Sequence, residues 1–118
     1  MNIIKLSIPP KAEYIMIARL TTSGVAARLN FDFEDIEDIK MAISEVLNMF
    51  DLSKLFDEIH ITYKLQNSFL DIELFIPAYE MIDNDFAEII LKSIIDDVIF
   101  TKEPNGYCVK LKKHHQGV

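Results

Sequence analysis

Apolar and polar positions repeat with two different periods along the chain, and each period predicts a different element. Residues 2–9 (NIIKLSIP) alternate apolar and polar side chains, which predicts a half-buried strand that ends at Pro9 and Pro10. Residues 11–29 repeat their apolar positions with the period of a helix. The stripe that this first helix is expected to bury consists of Ile15, Ala18, Thr22, Val25, Ala26 and Leu29.

A second helix is predicted after a short break at NFDF. Its beginning, EDIEDIK, is acidic, which suits a helix N-terminus because carboxylates interact favourably with the helix dipole there. Its apolar positions then continue with helical spacing to the end of the segment. The stripe that this second helix is expected to bury consists of Ile36, Ile39, Ile43, Val46, Leu47 and Phe50.

The second half of the chain predicts a hairpin, a third helix and one or two closing strands. Two strand-like runs, DEIHITYKL and SFLDIELFI, flank Gln66 and Asn67, and Pro77 ends the second run. A third helix is expected from about Asp85 to Val98, followed by a turn at EPNG and the alternating run YCVKLKK. These hairpins favour an α+β fold, a two-layer sandwich of a mostly antiparallel mixed sheet with three helices on one face.

The composition of residues 1–118 fits a single globular domain, with 50% hydrophobic and 26% charged residues. No apolar run approaches the roughly 20 residues that cross a bilayer, and the N-terminus lacks a signal-peptide pattern. A lone cysteine, Cys108, agrees with a reducing cytoplasm. The net charge of -7 argues against direct nucleic-acid binding, because affinity for phosphates depends on cationic residues. It favours a basic protein as partner.

Three polar residues interrupt the apolar second helix within MAISEVLNMF. At about 100 degrees per residue, Glu45 points away from the core stripe and Ser44 lies near its edge. Met41 and Met49 lie one turn before and one turn after Glu45, so these three form a column with Asn48 beside it. The polar groups are either the solvated side of the helix or part of a functional site.

The run IPPKAEYIMIARLTTSGVAARLNFDFEDIEDIKMAISEV resembles the N-terminal half of bacterial anti-sigma factor serine kinases. These are Bergerat-fold, or GHKL histidine kinase-like, ATPases. IARLTTSGVAARL, an acidic bridge and IEDIKMAISE match the family's first two helices without a gap. The likeness continues more loosely through the hairpin, FAEIILKSIIDDVIF and the closing strand. The resemblance implies a shortened histidine kinase-like ATPase fold.

In that family the second helix carries Ser-Glu and, one turn after the Glu, an Asn that holds the magnesium ion of ATP. The resemblance places the Glu, which acts as general base or orients water, at Glu45. The Asn position falls on Met49, whereas Asn48 is one residue early and turned by about 100 degrees. A thioether is a poor ligand for Mg²⁺, which prefers oxygen. We therefore interpret Glu45 as a vestigial catalytic residue and Asn48 as a vestigial cofactor-binding residue, with no metal site.

The family's glycine motifs are missing. The family has an Asp-x-Gly-x-Gly-type turn after the third strand, whose Asp recognises adenine, and a glycine-rich lid before the last helix. The corresponding segment here, LFIPAYEMIDND, has no glycine, since the three glycines are Gly24, Gly106 and Gly117. Asp83 and Asp85 are the candidates for the adenine-reading Asp, but glycine is what lets backbone approach a nucleotide closely. We expect no cofactor, with ATP and Mg²⁺ bound only if the chain is an active kinase.

Arg19 lies at the edge of the first helix's stripe and resembles the family's Arg that contacts the sigma factor and its antagonist. The alternative is an ion pair with Glu13 or with an acidic residue of the second helix. Met16, Ile17 and Leu20 lie off the stripe of the same helix, and apolar residues beyond a core face often mark an interface. We predict a partner-binding role for Arg19, Met16 and Leu20, while core packing in a small sandwich is the alternative for the apolar residues.

The remaining reactive side chains are assigned structural roles. His60 lies in a predicted strand and is expected on a face of the hairpin. His114 and His115 follow lysines and lack the oxygen or thiolate partners of a metal site. Cys108, in an apolar strand, is expected in the core.

The favoured function is that of a non-catalytic regulator similar to an anti-sigma factor. By resemblance it binds a sigma factor or an anti-sigma factor antagonist in bacterial partner switching, in sporulation or stress response. It is expected to be a cytoplasmic homodimer through the first helix and strand. One alternative is an active ATP-dependent serine kinase with Glu45 as base, and another is a scaffold unrelated to transcription.

Overall fold

A five-stranded antiparallel sheet forms one layer of the molecule. The computed structural model describes residues 1–82 and 85–115. Every neighbouring pair of strands is antiparallel, in the order β1-β2-β3-β5-β4. The predicted α+β sandwich is confirmed, and its described strands contain no parallel pair where a mixed sheet was expected. The strands are β1 (Asn2–Ile8), β2 (Ile59–Leu65), β3 (Phe69–Ile76), β4 (Asp97–Glu103) and β5 (Gly106–His114).

Three helices form the second layer and all contact the same face of the sheet. Thr22 of the first helix is hydrogen-bonded to Tyr63 of β2. Lys113 of β5 reaches both Asp35 of the second helix and the carbonyl oxygen of Ile94 in the third. The helices are α1 (Ile15–Arg28), α2 (Phe33–Leu47) and α3 (Asp85–Ile94), with single 3₁₀ turns at Ala12–Tyr14 and Leu52–Lys54.

The core lies between these layers and follows the predicted periodicities. Alternate residues of β3 are buried, as expected for a strand with one face on a core. The α1 stripe is buried at its centre, and the α2 stripe is buried from Ile39 onward. None of the helices within residues 1–82 and 85–115 combines the length and apolar character needed to cross a membrane.

The chain reverses between α1 and α2 through residues with distinct backbone roles. Asn30 adopts a φ of 59°, the left-handed conformation that commonly ends a helix. Asp32 then caps α2, since its Oδ1 accepts a 2.8 Å hydrogen bond from the amide of Asp35. The two helices are therefore joined by a short connection and pack against each other.

The third helix is shorter than the sequence pattern predicted. It ends at Ile94, and Val98, expected on its apolar side, lies in β4. The amide of Asp96 donates to the carbonyl oxygen of Lys112 at 3.0 Å, which turns the chain onto the sheet. Residues 98–101 (VIFT) are β-branched or aromatic and favour a strand once an edge is available to pair with. The final hairpin therefore has two strands, and β1 and β4 are the edges of the sheet.

Candidate functional site

The end of α2 carries the residues expected to form a vestigial site. Glu45 is half-buried in the last turns of the helix, next to Ser44. Asn48 is the C-terminal capping residue of α2, exposed, and its amide donates to the carbonyl oxygen of Ser44 at 2.9 Å. The helix thus ends at Leu47, before the position of the family's metal-holding Asn.

The predicted column of Met41, Glu45 and Met49 is not formed. Met41 is exposed, whereas Met49 is only 3% exposed and belongs to the hydrophobic core. The prediction assumes a helix that continues through Met49. The helix instead ends at Leu47, and the side chain of Met49 turns inward. The residue at the metal-ligand position therefore has its thioether in the core.

The segment after β3 is hydrogen-bonded directly to the end of α2. The amide of Ile82 donates a 2.7 Å hydrogen bond to the carbonyl oxygen of Met49. Within this segment, the amide of Ala78 donates to the carbonyl oxygen of Ile76 at 2.8 Å. Of the candidates for the adenine-reading Asp, Asp85 is exposed in the first turn of α3 and Asp83 lies outside the described residues. The pattern of apolar positions gave no indication of this contact between two loops.

Arg19 is half-buried on α1 and has no charged partner among the described residues. No ion pair with Glu13 or with an acidic residue of α2 is present, so that alternative is wrong. Its Nε is buried without a hydrogen-bond partner, as is Oγ of Ser44 on α2. The fold therefore leaves one donor of this guanidinium group unsatisfied, which costs free energy.

Apolar side chains of α1 surround Arg19 in sequence and are exposed. Met16 is 57% exposed, Leu20 is 61% exposed, and Ile17 is also exposed. Core packing, the alternative for these three residues, is therefore excluded. We call Met16, Ile17, Arg19 and Leu20 the α1 surface. The roles of these residues stay predictions.

The histidines and the cysteine contact nearby elements. Nδ1 of His60 lies 2.7 Å from Oγ of Ser7 across the β1–β2 pair, on the sheet face away from the helices. The ring of His114 packs against Phe69, and Nε2 of His115 lies 2.8 Å from the carbonyl oxygen of Asn30. Within residues 1–82 and 85–115 no group of three or more His, Cys, Asp or Glu residues is placed to hold a metal ion.

Cys108 lies half-buried on the outer face of the sheet, so its expected place in the core is wrong. It alternates with the core residues Val109 and Leu111 along β5, and the two-residue period of a strand puts it on the opposite face. Burial raises the pKa of its thiol, and the nearby carboxylate of Glu103 adds to that shift. The apolar composition of the run concealed which residues face outward.

Part of this chain is similar in sequence to known bacterial proteins. No family model matches the chain. The serine-protein kinase RsbW of Oceanobacillus iheyensis is 52% identical over 44 residues, and that of Bacillus thuringiensis is 60% identical over 42 residues. These segments cover 37% and 36% of this chain, but only 28% and 26% of the two relatives. Over these residues the chain is similar to the anti-sigma factor serine kinases.

A solved structure shares the fold of nearly the whole chain. The crystal structure of the RsbU and RsbW domains of Rv1364c from Mycobacterium tuberculosis superposes with a TM-score of 0.76. It covers 96% of this chain and 32% of that chain, at 16% sequence identity. At this identity the match shows the fold, which is the one the resemblance implied.

Proposed function

We propose that the chain is a non-catalytic regulator similar to an anti-sigma factor, which acts by binding protein partners in bacterial partner switching. The observation that carries this proposal is the 2.7 Å hydrogen bond from the Ile82 amide to the Met49 carbonyl oxygen. It joins the segment that corresponds to the family's adenine-reading turn to the position that corresponds to the family's metal-holding Asn. The two segments are therefore in direct contact at the end of α2.

The chemistry of the residues at this place also does not fit a magnesium nucleotide. Magnesium prefers oxygen ligands, and Met49 offers a buried thioether instead. Asn48 is exposed at the helix cap, where its backbone already bonds Ser44. Gly24 lies within α1 and Gly106 begins β5, so neither belongs to a loop facing the end of α2.

The α1 surface is the proposed place of partner binding. It presents an uncompensated guanidinium group beside exposed apolar side chains, and Arg together with large apolar residues is typical of binding hot spots. The partner proposed is a sigma factor or an anti-sigma factor antagonist. We further propose that the chain is one domain, acts in the cytoplasm, and forms a homodimer through α1 and the exposed edge of β1.

A serine kinase is the second candidate. The relatives are named serine-protein kinases, and Glu45 follows Ser44 on α2 as the resemblance implies. Thermal unfolding with and without ATP and Mg²⁺ separates the two candidates, since a ligand that binds only the native state raises its melting temperature. We expect no change for this chain and an increase for RsbW of Bacillus thuringiensis assayed alongside. A magnesium-dependent increase for this chain would favour the kinase.

Partner binding is tested with the sigma factor and the antagonist of the same bacterium. We expect Arg19→Glu to weaken the complex by about tenfold or more, since it reverses a charge within the proposed contact. Arg28→Glu is the matched control, because Arg28 is an exposed arginine in the last turn of the same helix. Equal binding by both variants, or no complex with either protein, would contradict the proposed surface.

A further inference from the structure

Two very exposed aromatic side chains line one groove on a different part of the molecule. Phe56 is 96% exposed and Tyr79 is 88% exposed, the highest values among the large hydrophobic residues of the described chain. Both line a groove of about 630 Å³, whose walls also include Phe75, Pro77 and Pro104. Single exposed apolar residues are ordinary, but the two extreme cases sharing one groove indicate a binding surface.

Hydrogen bonds fix the loops on both sides of this groove. Nζ of Lys102 donates a 3.1 Å bond to the carbonyl oxygen of Tyr79, which ties the loop after β3 to β4. On the other side, Oδ1 of Asp51 accepts a 3.1 Å bond from the amide of Ser53, at the 3₁₀ turn that precedes Phe56. Because the loops are already ordered, binding here loses less conformational entropy than binding to free loops.

The groove has an acidic rim. Asp57 and Glu58 both line it, and neither belongs to an ion pair within residues 1–82 and 85–115. Lys54 also lines the groove, but Glu80 lies 3.9 Å from its Nζ and offsets its charge. A ligand with cationic groups therefore complements the carboxylates that remain, as it complements the net charge of -7.

We propose that this groove binds a basic, proline-rich segment of a partner protein in an extended polyproline II conformation. Aromatic walls accept proline rings, and such a segment is extended before it binds, so little order is lost. Arginine or lysine side chains of the segment pair with Asp57 and Glu58 and pack over the faces of Phe56 and Tyr79. The groove shares no lining residue with the α1 surface, so this proposal is independent of the proposed function.

Fluorescence anisotropy with a labelled synthetic peptide of repeated proline and arginine tests the proposal. Two comparison peptides replace every arginine by glutamate or every proline by alanine. We expect the parent peptide to bind the full chain and both comparison peptides to bind at least about tenfold more weakly. No binding of the parent peptide, or equal binding of the glutamate peptide, would overturn the proposal.

Variants of the protein locate the binding. Phe56→Ala and Tyr79→Ala are each expected to weaken binding of the parent peptide by about tenfold, because each removes an aromatic anchor. Phe33→Ala is the control, because Phe33 is 75% exposed at the start of α2 and does not line the groove. Equal loss in the Phe33 variant would contradict the proposal. So would sedimentation showing that Phe56→Ala converts a dimer into a monomer, because a second copy would then occupy the groove.

Discussion

The hydroxyl oxygens of Tyr63 and Thr22 lie 2.7 Å apart in the interior, so that one hydrogen bond joins β2 to α1. Oγ1 of Thr22 also donates to the carbonyl oxygen of Ala18 at 2.7 Å, one turn earlier in α1. Both side chains are fully buried. Because buried polar groups need partners, this pair fixes the position of α1, and of its exposed surface, on the sheet.

Removing the hydroxyl group of Tyr63 and removing that of Thr22 should destabilise the fold by different amounts. Tyr63→Phe leaves Thr22 bonded to Ala18 and should cost about 1 kcal/mol, whereas Thr22→Val leaves the Tyr63 hydroxyl poorly paired and should cost about 1–3 kcal/mol. Urea unfolding measures both. In the double variant no hydroxyl remains to be satisfied, so its cost should be smaller than the sum. Strict additivity would show that the two groups do not interact.

Alkaline pH should weaken the native state through Tyr63. Burial raises the pKa of this phenol, and the hydrogen bond with Thr22 opposes the shift without cancelling it. The unfolded chain therefore loses the tyrosine proton first, near pH 10, while the folded chain still holds it. The stabilisation is complete below about pH 10 and is lost as pH rises through the higher folded pKa. Urea unfolding at increasing pH should show a shallower decline for Tyr63→Phe, and identical slopes would contradict this origin.

Lys113 should stabilise the fold more than a typical surface lysine does. Its Nζ donates 2.7 Å to the carbonyl oxygen of Ile94, at the end of α3, and lies 3.8 Å from Oδ1 of Asp35. Burial raises the pKa of the Asp35 carboxyl, and Lys113 opposes that shift. Lys113→Met should therefore cost about 1.5–3 kcal/mol in urea unfolding. Lys110→Met, on the exposed face of the same strand, should stay within about 0.5 kcal/mol.

Replacing each of the two described glycines by alanine should change the stability of the fold in opposite directions. A Cβ on Gly106 would lie 2.3 Å from the carbonyl oxygen of Ile76 and 2.9 Å from Cα of Pro77, both backbone atoms. Gly106→Ala should therefore cost about 1–3 kcal/mol or more. Gly24 has nothing within 4 Å of such an atom and lies inside α1, so Gly24→Ala should stabilise by about 0.5–1 kcal/mol. Thermal unfolding compares them, and a loss of stability in the Gly24 variant would contradict the open space around it.

Restoring the family's residue at position 49 should not restore a nucleotide site. Met49→Asn places an amide in the core and should cost about 2–5 kcal/mol. Met41→Asn, at an exposed methionine of the same helix, should change stability by less than about 1 kcal/mol. Neither variant should gain stability from ATP with Mg²⁺, because the segment at Ile82 still contacts the end of α2. A magnesium-dependent gain in the Met49 variant would show that this single ligand was what the site lacked.

The sequence predicted those helices and strands in which buried residues recur at regular spacing within the element. The stripes of α1 and α2 and the alternation in β3 each record one face against the core, so periodicity was sufficient. The predicted end of α3 was wrong because Val98 lies one helical turn after Ile94, so that its apolar side chain suits either a longer helix or a new strand. Pairing of this segment with β5, which the spacing of apolar residues does not show, decides between them.

The candidate site was less predictable because it depends on contacts between segments far apart in sequence. The position of Met49 in the core follows from the helix ending at Leu47, which no glycine or proline announces. Its hydrogen bond to Ile82 joins two irregular segments and has no periodic signature. The groove beside Phe56 and Tyr79 is likewise formed by loops, where an apolar residue alone gives no direction to its side chain.

The open edges of the sheet bear on how the protein behaves at high concentration. Among the described strands none pairs with the outer edge of β1. Ile3 and Ile4 on this strand are exposed, so this edge favours aggregation by strand addition. β4 carries Lys102 and Glu103 near its end, charges that discourage the same association. If the purified protein precipitates, the edge of β1 is therefore the first region to protect. A partner that covers this edge would also improve solubility.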